Sequence, residues 1–220
     1  MTATTPTSPS GAGRPGWARP KYLLFAALAA AYVYVILKYE TFLFDPKNPE
    51  WPHIAPFQQY LLPHAMAAVC ALILGPMQFS DRLRARFAGL HHVTGYIYIA
   101  GCLIGAPIGL YVQWTEEKLG TYSRSFTIAT VFDMLLWMMA TLTALYFIRA
   151  KKIQLHRQWM TRSFVCALIF LEVRVIMGVF DIEKYVEIIV WSCVACAYPV
   201  ADYILLIQDS LQRRTAAKAR

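Results

Sequence analysis

The sequence contains six apolar blocks, each about twenty residues long. A helix of about twenty apolar residues crosses a hydrocarbon layer of about 30 Å, because each residue adds about 1.5 Å. The 220-residue chain is 58% hydrophobic and only 15% charged, which lies outside the usual range of soluble proteins. We therefore predict an all-α, polytopic transmembrane helical bundle, with six spans at about 22–38, 60–79, 93–114, 124–148, 158–180 and 185–207.

The two ends of the chain are polar and differ from this apolar middle. Residues 1–20 are rich in Thr, Ser, Pro and Gly and lack a set of apolar residues for a core, which indicates a disordered tail. The first apolar block follows this tail without a clear small-residue cleavage site, so we interpret it as an anchor and not as a cleaved signal. The predicted organisation is a cytoplasmic tail at 1–20, a six-helix membrane domain at 21–208 and a basic cytoplasmic tail at 209–220.

The formal net charge of +8 is distributed in a way that indicates membrane topology. With the N-terminal tail assigned to the cytoplasm, most Lys and Arg residues fall on that side, and the opposite loops hold most of the acidic residues. This positive-inside bias predicts that both termini are cytoplasmic. It makes nucleic acid a poor explanation for the charge and leaves the lipid bilayer as the expected partner. Asp202, near the inner end of the last span, is expected to contact the basic segment 149–162.

Glycines recur every fourth residue in the third predicted span, at Gly101, Gly105 and Gly109. Such an edge lets another helix approach closely or leaves room for a flat ligand, and helix packing is the more common use. His91 precedes Gly109 by eighteen residues, about five helical turns, so it projects on the same side as the glycine edge. His92 is turned away by about 100°, which makes His91 the better candidate for facing the bundle.

Two histidines fall at matched depth, near the cytoplasmic ends of the third and fifth predicted spans. His91 and His156 are placed to ligate a haem iron from both faces, as histidines do inside helical bundles. The competing interpretation is that interface histidines bind lipid headgroups or helix ends without any cofactor. Zinc is less suitable, because it needs a third or fourth ligand and the sequence offers no well-spaced Asp, Glu or Cys at this level.

A second group of polar residues lies in the outer half of the predicted membrane domain. Asp133 and Arg174 fall at nearly the same depth, about 5 Å outward of the span midpoints at about 1.5 Å per residue, and we predict an ion pair between them. Glu172 projects about 200° away from Arg174, so both cannot point directly at Asp133. Glu172 therefore needs its own partner, for which His64 is a candidate, or a proton. A structural clasp and a functional site both fit this group.

Two stretches, "LHHVTGYIYIAGCLIG" at 90–105 and "IQLHRQWMTRSFVCALIFLEVRVIMG" at 153–178, carry a resemblance to a known family. They resemble the bacterial DUF2306 family of predicted integral membrane proteins, whose activity is not established, over roughly residues 60–180. The family patterns are H-R-x-x-G-R-x-Y, in which His92 and Tyr96 here replace the usual arginines, and H-R-x-W-M-x-R-S. The residues matched to the family are His64, Gly75, Pro76, Gln78, His91, Gly95, Tyr98, His156, Arg157, Trp159, Met160, Arg162, Ser163 and Arg174.

The resemblance implies a multi-pass protein of the bacterial inner (cytoplasmic) membrane. The family is also loosely similar to b-type cytochrome membrane subunits, and this analogy favours haem b held by His91 and His156. Arg157 or Arg162 would then lie near the haem propionates, and a membrane redox partner would exchange electrons with the haem.

Two other functions remain open. One is a transporter or proton-coupled carrier, although the sequence shows neither an evident inverted repeat nor a matching pair of interrupted helices. Its polar cluster would consist of His64, Asp133, Glu172 and Arg174. The other is a non-catalytic subunit or assembly factor, or a homo-oligomer, joined through the glycine edge. No catalytic residue is assigned, because the sequence has no nucleophile elbow, P-loop or dinucleotide-binding motif.

Overall fold

In the computed structural model, which describes residues 20–218, all regular secondary structure is helical. The helices are α1 (Pro20–Tyr39), α2 (Trp51–Ile54), α3 (Gln58–Gln78), α4 (Asp81–Arg86), α5 (Ala88–Lys118), α6 (Arg124–Arg149), α7 (Ile153–Phe180) and α8 (Val186–Lys218). The predicted all-α class is confirmed for these residues. The tail predicted at 1–20 lies outside the described residues apart from Pro20, which opens α1, and α8 includes 209–218 of the predicted basic tail.

Five helices have the length and apolar composition needed to cross a membrane. They are Gln58–Gln78, Ala88–Lys118, Arg124–Arg149, Ile153–Phe180 and Glu183–Leu211, and they coincide with the last five predicted spans. The first predicted span corresponds to the shorter apolar stretch Leu23–Tyr39. At about 1.5 Å per residue that stretch measures about 26 Å, slightly less than a hydrocarbon layer of about 30 Å. The count of six spans therefore stays a prediction.

The long helices form two groups that share a common core. Helices α3 and α5 lie side by side, helices α6, α7 and α8 pack together, and α5 joins the two groups by its contacts with α6. The almost fully buried side chains Tyr98, Cys102, Ile169 and Val190 belong to this core. Many large apolar side chains, such as Met66, point outward instead. Apolar residues on both the inner and the outer surfaces are expected for helices surrounded by lipid.

Local sequence sets several of the helix ends. Ser123 accepts a hydrogen bond from the Phe126 N–H at 3.2 Å and so caps the start of α6. Ser80 caps α4 in the same way, with its hydroxyl 3.3 Å from the Leu83 nitrogen. Asp181 adopts a left-handed conformation with φ of 53°, which ends α7 and lets the chain reverse direction.

Helix α3 occupies the glycine edge of α5, in agreement with the packing interpretation of this edge. A Cβ atom on Gly101 would lie 2.9 Å from the Ala67 carbonyl oxygen, and one on Gly105 would lie 3.0 Å from the Ala67 Cβ. At Gly109 the His64 ring takes this space, since its Nδ1 would lie 2.8 Å from such a Cβ. The glycines thus bring two helices together, and α3 fills the space that a flat ligand on this edge would need.

Candidate functional site

Asp133 lies in the middle of α6, and its side chain is only 1% exposed. Thr130, Trp137 and Thr141 are also buried and recur at helical spacing, so α6 turns a polar stripe toward the core. Within residues 20–218, Oδ1 of Asp133 has no hydrogen-bond partner. An ionised carboxylate without a partner is costly inside a membrane, so a proton or a bound cation is the natural companion of this group.

Glu172 of α7 lies close enough to Asp133 to act on it electrostatically. Neither carboxyl forms a salt bridge with any basic side chain in the described part of the chain. The thiols of Cys102, Cys166 and Cys193 also interact electrostatically with Asp133. The residues Asp133 and Glu172, called the acid pair below, therefore act on each other's charge from two packed helices, with no salt bridge to a basic side chain of residues 20–218.

Arg174 forms its salt bridge with Glu40, so the predicted ion pair between Asp133 and Arg174 is wrong. Helix α7 turns Arg174 toward α1, and 44% of its side chain is exposed. A second contact joins the same two helices, because Lys38 Nζ donates to the Gly178 carbonyl at 2.9 Å. The Glu40 carboxylate near the end of α1 compensates the charge of this guanidinium, as a charged group within a membrane span requires.

His64 contacts a backbone carbonyl and not Glu172. Its Nδ1 lies 2.8 Å from the Gly105 carbonyl oxygen and donates to it, because a carbonyl only accepts. Arg174 and Glu40 both act on this imidazole electrostatically. The predicted polar cluster therefore separates into the acid pair and a second group of His64, Arg174 and Glu40. We call the side of the bundle that holds this second group the Arg174 end.

Four side chains on α5, α6 and α7 form a closed hydrogen-bond circuit beside the acid pair. Trp137 Nε1 donates to Tyr98 Oη at 3.2 Å, and Tyr98 Oη lies 2.8 Å from Ser163 Oγ. Ser163 Oγ lies 2.7 Å from Thr141 Oγ1, which donates to the Trp137 carbonyl at 2.8 Å. Tyr98, Thr141 and Ser163 are 0% exposed and Trp137 is 5% exposed. This group, called the hydroxyl circuit, ties three helices together in the core.

The sequence pointed to only half of the hydroxyl circuit. Tyr98 and Ser163 belong to the two family patterns, which gave them no role. Trp137 and Thr141 were not singled out, although they follow Asp133 at intervals of four residues on one face of α6. That polar stripe in an apolar helix is the signal by which they could have been found.

His91 and His156 lie at one end of the bundle, near enough for His156 to act on His91 electrostatically. His91 is half-buried and His92 is exposed, as the helical projection predicted. His156 Nδ1 donates to the Ala144 carbonyl at 2.9 Å, which leaves Nε2 as an acceptor. In the orientation of the Gln78 amide that satisfies its neighbours, its nitrogen donates to His91 Nδ1 at 3.1 Å. We call this side of the bundle the His156 end.

The arginines proposed as haem partners also lie near this end. Arg162 forms a salt bridge with Asp202 at 2.7 Å, and its guanidinium lies 4.8 Å from the centre of the Trp159 ring. This confirms the predicted contact between Asp202 and the basic segment 149–162. Arg157 is half-buried. Within the described range, no group of three or more His, Cys, Asp or Glu side chains is arranged to hold a metal ion.

A family model described as "Predicted membrane protein (DUF2306)" matches residues 61–205. The chain belongs to this family, as the sequence motifs indicated. The matched range includes the acid pair, the hydroxyl circuit and both histidines of the His156 end, whereas α1 and Glu40 lie outside it. No curated protein and no solved structure matches the chain.

Proposed function

We propose that this DUF2306 protein moves protons across its membrane, and that Asp133 and Glu172 take up and release them. The observation that carries the proposal is the Asp133 carboxyl, which is 1% exposed, has an unpartnered Oδ1 among the described residues, and feels the charge of a second acid, Glu172. Acidic side chains inside membrane spans commonly mark proton relays in pumps and transporters. A purely structural clasp would pair each acid with a base, which this pair lacks in residues 20–218.

A proton suits the acid pair better than a metal cation does. Hard cations such as Ca²⁺ and Mg²⁺ take about six or more oxygen ligands, whereas this site offers two carboxyl groups. A charge on Glu172 disfavours a charge on Asp133, and a proton on Asp133 removes that repulsion without any further ligand. The pair is therefore chemically complete as a proton carrier.

Purified protein in liposomes that contain a pH-sensitive dye tests this proposal. We expect an imposed pH difference to dissipate faster than in empty liposomes of the same lipid. The rate should stay the same when choline replaces sodium in all buffers. Faster dissipation in sodium alone would assign a sodium ion to the acid pair, and a rate equal to that of empty liposomes would contradict the proposal.

Haem b between His91 and His156 is the second proposal, and their position at one end of the bundle supports it. His156 fits a ligand role well, because its Nδ1–H is held by the Ala144 carbonyl and Nε2 keeps a lone pair. His91 fits poorly, because a Gln78 amide that donates to Nδ1 places the ring proton on Nε2. The filled glycine edge also gives the macrocycle no surface there.

The visible spectrum of the reduced protein tests whether His91 and His156 hold haem b. With ample haem during expression, the dithionite-reduced protein should show Soret and alpha bands if haem b binds, and His156→Ala should lose them. On the geometry of His91 we expect no such bands. Their appearance in the wild type, with loss in His156→Ala, would establish haem binding and overturn our ranking.

We also propose that α1 is a sixth span and that both termini face the cytoplasm of a bacterial cell. Basic residues gather in the connections and helix ends of the His156 end, such as Arg86 and Lys152, whereas those of the Arg174 end carry acids such as Glu116 and Asp181. This distribution supports a cytoplasmic His156 end under the positive-inside rule. Side-specific labelling of Arg86 and Lys152 after replacement by cysteine tests the orientation.

A further inference from the structure

The two ends of the hydroxyl circuit are fixed by their chemistry. The indole N–H of Trp137 only donates, so Tyr98 Oη accepts from it. Either hydroxyl can donate between Tyr98 and Ser163 and between Ser163 and Thr141, and Thr141 Oγ1 also lies 3.3 Å from Cys102 Sγ. At the other end, Thr141 Oγ1 lies 2.8 Å from the Trp137 carbonyl, which is a pure acceptor. The circuit thus begins and ends on one residue.

Such a circuit holds protons in place and does not pass them along. At one end the indole N–H gives up no proton at ordinary pH, and at the other end the carbonyl binds none. Within residues 20–218, none of the three hydroxyls between them bonds Asp133 or Glu172. The four side chains are 5% exposed or less, so water has no room to bridge them. The hydroxyl circuit is therefore a barrier to protons and not a relay.

The circuit lies on one side of the acid pair. Trp137 is four residues from Asp133 toward the His156 end, about 6 Å along α6. Ser163 is nine residues from Glu172 in the same direction, about 13 Å along α7. On the opposite side Glu172 is only half-buried, and beyond it the side chains of Arg174 and Glu40 are 44% and 23% exposed.

We infer that the hydroxyl circuit closes the acid pair off from the His156 end, so that protons reach the pair from the Arg174 end in this conformation. This inference rests on the proposed proton function and adds the side of access and the residues that control it. Tyr98, Thr141 and Ser163 are then positioning residues that keep the two membrane faces separate at the pair. Release toward the His156 end requires the links of the circuit to open.

Ser163→Ala in the full chain tests this barrier, because it removes the central link between Tyr98 and Thr141. In the liposome assay we expect proton exchange several-fold faster than in the wild type. Adding Asp133→Asn to Ser163→Ala should return the rate to that of Asp133→Asn alone, since the leak would run through the acid pair. Ser192→Ala is the matched control and should leave the rate unchanged, because the Ser192 hydroxyl donates to the Ile188 carbonyl within α8, which contributes no residue to the circuit.

Tyr98→Phe provides a second variant that keeps the ring and removes only the hydroxyl, in case Ser163→Ala does not fold. Gel filtration in detergent reports folding for every variant. Wild-type exchange rates in both Ser163→Ala and Tyr98→Phe, together with loss of exchange in Asp133→Asn, would overturn the barrier while the proton function stands. A wild-type exchange rate in Asp133→Asn would instead contradict the proposed proton function, and the proposed barrier would lose its basis as well.

Discussion

Asp133→Asn is expected to reduce proton exchange in liposomes to the rate of empty liposomes. Asparagine has nearly the same size as aspartate but cannot take up and release a proton at this position. Because burying a carboxyl is costly, the variant should fold at least as well as the wild type. Glu172→Gln is expected to give the same loss, since the proposed transfer uses both acids and Glu172 acts on Asp133 electrostatically.

Asp202→Asn is the matched control for this experiment. It makes the same chemical change on α8, but the Asp202 side chain is 51% exposed and pairs with Arg162 outside the acid pair. We expect wild-type exchange from this variant, because a salt bridge at such a site contributes little. Wild-type exchange in a folded Asp133→Asn variant would show that the acid pair does not carry the proton.

Gly101→Ala is expected to destabilise the protein strongly. The added methyl group would lie 2.9 Å from the Ala67 carbonyl oxygen, and relief requires the backbones of α3 and α5 to move apart. Overpacking of this kind lowers the free energy of unfolding by about 1–3 kcal/mol. The separation of α3 from α5 also extends along the whole glycine edge. The measurement is the midpoint of thermal or denaturant unfolding in detergent micelles.

Gly89→Ala on the same helix provides the control for that substitution. A Cβ at Gly89 would meet no atom of residues 20–218 within 4 Å beyond the adjoining backbone of its own helix, and alanine favours a helix over glycine by about 1 kcal/mol. This variant should therefore be as stable as the wild type or more so. Equal stability of Gly101→Ala and Gly89→Ala would contradict the close contact between α3 and α5.

Features that depend on a single helix could be predicted from the sequence. Block length and apolar composition located α3, α5, α6, α7 and α8, and the spacing of the glycines predicted a close helix contact. The choice of His91 over His92 also followed from helical projection alone. Each of these properties is set by the helix period and needs no knowledge of how neighbouring helices are rotated.

The partners of the charged residues could not be predicted, because they depend on how the helices are rotated about their axes. Depth in the membrane placed Asp133 level with Arg174, and helical projection showed that Glu172 and Arg174 could not both face it. Attraction between opposite charges then favoured Arg174 over Glu172 as the predicted partner of Asp133. In the structure Glu172 is half-buried and acts on Asp133, whereas Arg174 reaches toward α1, where Glu40 offers a carboxylate. Only the packing of α7 settles this choice.

The hydroxyl circuit was missed for a different reason. Threonine and tryptophan are common in membrane helices, so Trp137 and Thr141 carried little information one at a time. Their meaning depends on Tyr98 and Ser163, which lie on two other helices at large sequence separation. Hydrogen-bond networks between helices become visible only after the helices are docked.

The position of the acid pair within the bilayer is tested most directly by side-specific labelling of Arg86→Cys and Lys152→Cys in intact cells, with the wild type as the blank. Both loops belong to the His156 end, so a membrane-impermeant maleimide should reach neither cysteine until the cells are opened, and then should label both. Labelling of the two positions from opposite sides would contradict the account. Asp133 and Glu172 would then not be held at one depth between two water-facing ends, and proton transfer through the two acids would have no basis.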